Sequence, residues 1–167
     1  HPIDGVMWCN ERNSPLDTLI QGGAPGDFCE PARKEAAERG IDVERCRQAL
    51  RRLYDFMQEA AAGKQFPDGA LITFLRVLLD NPEALLWEKF WLERNKDLDR
   101  ELYGLVKWCR PELPFGLNVW NRNHFNPIRK AEYPWAEVVD YADWVKPITY
   151  QHQSGQIYVK EMTAFYE

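Results

Sequence analysis

Three short apolar runs limit what this chain can fold into: IDGVMWC at 3–9, FGLNVW at 115–120 and WVKPIT at 144–149. Each has the length and the β-branched or aromatic content of a buried strand. The two stretches between them are too long for hairpins and both carry helical signals, which is the connection that parallel strands require. The order strand, helices, strand, helix, strand, helix therefore predicts an α/β chain whose strands lie in one sheet, joined by right-handed crossovers. Pro147 lies inside the third run, so pairing is expected to end there or to be interrupted by a bulge, because proline has no amide to donate.

The helical segments follow from spacing and punctuation. Residues 14–27 (SPLDTLIQGGAPGD) read as a long Pro/Gly-rich loop, and residues 30–39 as a helix with Pro31 in its first turn and Gly40 after its end. Asp42 is placed to cap a helix over 43–62, in which Val43, Cys46, Leu50, Leu53, Phe56, Met57 and Ala60 recur at three and four. After a turn at Pro67-Asp68-Gly69, ALITFLRVLL is expected as a buried helix. A long helix then runs from Asn81-Pro82 to about Arg110, with Trp91, Leu98, Leu102, Leu105 and Cys109 on its inward face and Trp87, Trp91 and Trp108 packed in the core. Further helices are expected over 134–142 and from near Gln156.

A chain of 167 residues, 45% hydrophobic and 28% charged, has enough apolar material for a core. Residues 1–167 are read as a single α/β domain. A complete eight-unit barrel takes roughly 250 residues. Three βα units with long helical insertions thus predict either part of a (β/α)8 TIM barrel, its central piece, or a small open parallel α/β sheet. The net charge of −5 speaks against nucleic acid as a partner, and Arg45, Arg47, Arg51 and Arg52 read as a solvated helix face. No apolar run reaches the roughly 18 residues of a membrane span. The chain begins at His1 and so looks processed or excised. The four cysteines, Cys9, Cys29, Cys46 and Cys109, form no C-x-x-C pair, which favours buried thiols over zinc or disulfides.

Each strand run ends in polar and aromatic residues: Asn10, Glu11, Arg12 and Asn13 after Trp8-Cys9; Asn121, Asn123 and His124 after Trp120; Tyr150, Gln151 and His152 after the third. In parallel α/β folds, carboxyl strand ends open onto one face, where ligands bind. Amides, a carboxylate, imidazoles and flat rings suit a polyhydroxylated ring. The candidate site is therefore Glu11 with Trp8, Asn10, Arg12, Trp120, Asn121, His124, Tyr150 and His152 around a carbohydrate.

Trp8-Cys9-Asn10-Glu11 resembles the fourth-strand signature of the clan A glycoside hydrolases, in which an Asn-Glu pair ends a barrel strand. The resemblance implies Glu11 as general acid/base and Asn10 on the sugar 2-hydroxyl. DGVMWCNERNSPL, FCEPARKEAAERGIDVER and the Trp-rich helix before PFGLNVW together resemble a group of bacterial glycoside-hydrolase-like barrel proteins. That group is often exported, which implies a periplasmic or secreted location. Where its pattern has F-C-x-x-C, this chain has Ala32 in place of the second cysteine, so no metal or disulfide role passes to Cys29.

Glycoside hydrolysis uses two carboxylates, and the clan's nucleophile belongs to a strand that these three runs do not include. Glu161 and Glu167 follow the third run but read as part of its helix. A non-catalytic carbohydrate-binding or structural α/β module is therefore the alternative, with Glu11 a solvated carboxylate beside Arg12. A metal-dependent barrel hydrolase using His124 and His152 is a third reading, although neither H-x-H nor H-E-x-x-H spacing is present. No cofactor or resident metal is expected. A barrel slice exposes strand edges, so self-association or pairing with the remainder of a barrel is expected.

Overall fold

A computed structural model describes residues 3–9, 13–120 and 135–148. Their element order is β1 (Val6–Cys9), α1 (Pro15–Ile20), α2 (Glu30–Glu38), α3 (Val43–Ala61), α4 (Ala70–Asp80), α5 (Glu83–Cys109), β2 (Phe115–Trp120), α6 (Trp135–Val138) and β3 (Trp144–Ile148). The result is a mixed α/β fold with a small open, three-stranded parallel sheet in the order β1-β2-β3. It contains two compact units, one of residues 1–12 and 97–167 and one of residues 13–96, and α5 runs from the second into the first.

In the sheet unit, β2 is paired on both sides. Val6 to Cys9 stand opposite Phe115 to Asn118, and Gly116 to Trp120 opposite Trp144 to Ile148. The alternation of strand side chains puts Val6, Trp8, Phe115, Leu117 and Val145 on one face. They pack there with Leu102, Tyr103 and Val106 of α5 and with Val138, Tyr141 and Ala142. Pro147 is accommodated because β3 is the edge strand among the described residues, where a missing amide need not break a second ladder.

At the amino ends of the strands the register is clasped by one charged group. Asp143 accepts from the Phe115 amide at 2.8 Å and from Lys107 Nζ at 2.6 Å, while its own amide donates to Phe115 O at 2.8 Å. Lys107 also donates to Leu113 O at 2.9 Å. The end of α5, the start of β2 and the approach to β3 are thereby tied together.

The helical unit buries Leu16, Leu19, Ala32, Ala36, Cys46, Leu50, Leu53, Trp87 and Phe90. Asp42 caps α3 as expected, accepting from the Arg45 amide at 3.1 Å. Within the anticipated loop, Pro15–Ile20 is helical instead. Ser14 caps it by accepting from Asp17 N at 3.1 Å, and Pro15 stands in its first turn.

Four other expectations need correction. Helix α4 forms, but none of its residues is fully buried, and Leu71 and Leu79 are 68% and 78% exposed. Trp87 and Trp91 are buried, whereas Trp108 is 81% exposed. In the second half of α5 the inward stripe is Asp99, Leu102, Tyr103 and Val106, while Leu98, Leu105 and Cys109 are exposed. An apolar-only template rejects Asp99 and so turns the helix to the wrong phase. None of the cysteines is disulfide-bonded, and only Cys46 is buried, with its thiol pushed up to about 11 by desolvation. Among the described residues, no helix is long and apolar enough to cross a membrane.

Gly116 tests the sheet directly. A Cβ there would come within 2.1 Å of the Trp144 indole, which lies across the neighbouring strand. Gly116→Val should therefore destabilise the protein by about 1–3 kcal/mol in urea melts, as overpacked sites do. In a Trp144→Ala background the same change should cost much less. Equal costs in both backgrounds would show that Trp144 is not what demands glycine.

Candidate functional site

The face of the sheet opposite its core carries exposed and polar side chains. Alternation puts Met7, Gly116 and Trp144 in one row and Cys9, Asn118 and Lys146 in the next, nearer the carboxyl ends of the strands. Met7 is 46% and Trp144 39% exposed, and Cys9 and Lys146 are exposed too. Asn118 Nδ2 donates to Cys9 Sγ at 3.1 Å, while its carbonyl oxygen is buried and accepts no hydrogen bond from the described residues. Among those residues, Lys146 has no ion pair, so a cation and an amide acceptor stand on adjacent strands. The exposed Lys146 ammonium suits hydroxyl or carboxylate oxygens of a ligand, while the Asn118 amide, its oxygen buried, is held on Cys9 beside it.

Trp8 lies on the other face. It packs against the core under α5, and its indole N–H points into a buried environment beside the Asp99 carboxyl. The proximity lowers the pKa of Asp99 to some extent, yet no hydrogen bond of ordinary geometry closes. Trp8 Nε1 and Asp99 Oδ1 are both buried without a partner among the described residues. Asp99 is only 2% exposed, and burial outweighs both Trp8 and Arg100 to push its carboxyl up to about 6. Its neighbour Tyr141, 1% exposed and with Arg100 5.4 Å above its ring, is pushed up to about 12, first by burial and then by the Asp99 charge.

Of the residues anticipated around a ligand, Trp120 ends β2 opposite Ile148. Asn10, Glu11, Arg12, Asn121, His124, Tyr150 and His152 lie outside the described residues, as does the helix expected near Gln156. The structure thus puts Asn118 and Lys146 side by side as further candidates, which sequence reasoning missed by looking beyond the strand ends. Period-two alternation within the three runs was the signal that identifies them, since it sets both opposite the core positions Leu117 and Val145. Among the described residues, no three His, Cys, Asp or Glu side chains gather as a metal site.

Comparison with protein-family models, with curated proteins and with solved structures finds no match.

The buried Asp99 and the exposed Asp143 predict opposite pH responses. The ordinary carboxyl value for Asp99 is 3.8, so its raised folded value favours the protonated folded state. The stability this confers is complete below about pH 4 and is lost as pH rises through about 6. Asp143 is held below its ordinary value by Lys107 and then by the Phe115 amide, so its contribution is present at neutral pH and lost in acid. Asp99→Asn should raise stability at pH 7 relative to pH 4 by roughly 3 kcal/mol against the parent. Denaturant melts across that range check this, and parallel profiles for the two proteins would rule out a buried, titrating Asp99.

Proposed function

We propose that this chain is a glycoside hydrolase, built as three βα units of a (β/α)8 barrel, with Glu11 as its general acid/base. One observation carries the reading: all three strands are parallel, so their carboxyl ends, Cys9, Trp120 and Ile148, lie at one edge of the sheet. Asn10-Glu11, Asn121 and Tyr150 are the next residues in the chain after those ends, or within two of them. The division of the sheet into one helix-covered face and one bearing Met7, Gly116, Trp144, Cys9, Asn118 and Lys146 also agrees with a barrel wall, whose inner face is lined by alternate strand residues.

In this reading Glu11 protonates the leaving oxygen and then activates water, while Asn10 holds the sugar 2-hydroxyl. Lys146 contributes a hydrogen bond from the barrel interior, beside the Asn118 amide. Lys146 also places positive charge on the face where a second carboxylate must stay ionised. That second carboxylate belongs to a further strand of the barrel.

The decisive experiment uses two substrates. Glu11→Gln should slow hydrolysis of a glycoside with a poor leaving group by about 10²–10⁴-fold, yet leave the glycosylation step of an activated aryl glycoside much less affected. Asn10→Ala should slow both alike, because the 2-hydroxyl contact acts on the sugar and ignores the leaving group. Equal loss on both substrates for Glu11→Gln would assign that carboxylate a structural role. Saccharide binding without turnover by the parent protein would favour a non-catalytic binding module.

A further inference from the structure

The helical unit contains a groove of about 650 Å³ that the carbohydrate reading does not use. One wall is the outward face of α3, where Glu44 stands with Arg47, Arg51, Arg52 and Tyr54, and the other is the segment carrying Pro25 and Phe28. This segment is anchored at both ends. Gln58 Nε2 donates to Gly22 O at 3.3 Å, and Arg94 pairs with Asp27 at 3.2 Å. Phe28 stacks on the buried Trp87 with ring centroids 4.5 Å apart and planes 12° from parallel. One wall of the groove is therefore a fixed aromatic ring backed by the core.

The three guanidiniums differ in how they are held. Arg47 and Arg51 pair with Glu44 and Asp55 at 3.5 Å and 3.1 Å, but every one of these side chains is more than half exposed. Such exposed pairs are weak, so an incoming anion displaces the carboxylates at little cost. Arg52 is oriented from behind: it donates to Asn81 Oδ1 at 2.7 Å, and the buried Asn81 donates in turn to Val77 O at 2.8 Å. Asn81 is neutral, and among the described residues no carboxylate pairs with Arg52. A cation is thus positioned at the groove and left uncompensated, in a chain whose net charge is −5.

A groove of this size falls in the range of small-ligand sites, roughly 300–1,000 Å³. Guanidinium forks match planar oxyanions, carboxylate among them, through paired hydrogen bonds. Aromatic walls receive the flat apolar face of a ring. The overall acidity of the chain disfavours a long polyanion, whose binding depends on an extended basic surface.

We propose that this groove binds an acidic sugar, with Arg47, Arg51 and Arg52 on its carboxylate and Phe28 and Tyr54 against its ring. The choice of a sugar ring rests on the carbohydrate reading above, whereas the requirement for an anion rests on α3 alone. None of its lining residues belongs to the set proposed around Glu11, and the groove serves to hold an acidic residue of a saccharide.

Calorimetric titration of the full chain tests this with trigalacturonate, with neutral cellotriose and with adenosine 5′-monophosphate as a phosphate on a different ring. Trigalacturonate should bind, cellotriose should not compete for the groove, and affinity should fall by about tenfold or more in the Arg47→Gln, Arg51→Gln double variant. Both of those side chains are exposed, so the variant should retain the parent melting curve. Arg52→Gln should weaken binding too, and Glu11→Gln should leave it unchanged. Absence of binding, affinity indifferent to the arginines, or tighter binding of the nucleotide would each overturn the proposal. Trigalacturonate binding without cleavage of any glycoside would leave the groove standing and remove the hydrolase reading. Glu11-dependent cleavage without trigalacturonate binding would do the reverse.

Discussion

Parallel pairing on both sides of β2 is the constraint on which the sheet unit depends. A strand with two parallel neighbours is reached and left only through crossovers, so chain must leave the sheet between every pair of strands. The first crossover holds α1 to α5 and the second holds α6. Phe115 and Leu117 of β2, 1% and 4% exposed, are consequently at the centre of the sheet unit's core. The Lys107–Asp143 pair sets where the strands start, by holding the end of α5, the Phe115 amide and the approach to β3 at one carboxylate.

The same pairing divides polar chemistry between the two faces. On the helix-covered face Asp99 is buried beside Trp8 and Tyr141 with one oxygen unsatisfied, an arrangement that lowers stability whenever the carboxyl ionises. Asp99 and Asp143 therefore titrate in opposite directions within one unit, one raised by burial and the other lowered by an ammonium and a backbone amide. On the other face Cys9, Asn118 and Lys146 stand side by side without helical cover among the described residues. The alternation of strand side chains thus sets Trp8 toward the buried Asp99 on one side and the exposed Lys146 on the other.

The arginines of α3 show how context changes the meaning of a charge pattern. Read along the helix, Arg45, Arg47, Arg51 and Arg52 alternate with acids and apolar residues as a solvated face does. Their exposure agrees with that, and Arg45 is indeed paired, with Glu83. The anchored segment around Phe28 converts part of the face into a groove wall. What turns a helix surface into a candidate binding site is the chain lying over it, from more than fifteen residues earlier in the sequence.

Strand and helix identities were legible because they are local: the β-rich runs, Asp42 as cap, Pro31 in a first turn and the long connections each act within a few residues. The long helical connections also exclude tight hairpins and so point to parallel strands, which the register shows. Helix α1 was legible as well, in Ser14-Pro15-Leu16-Asp17, but the surrounding glycines and prolines obscured the cap. The phase of α5, the exposure of Trp108 and of α4, the burial of Asp99 and the meeting of Asn118 with Cys9 were decided only by tertiary structure. The physical reason is that burial belongs to the space between elements: a leucine on a helix is apolar wherever it points, and an aspartate is driven inward only when its neighbours in the stripe are. For the same reason sequence alone determined which residues follow each strand end, while register decided that Cys9, Asn118 and Lys146 share a row.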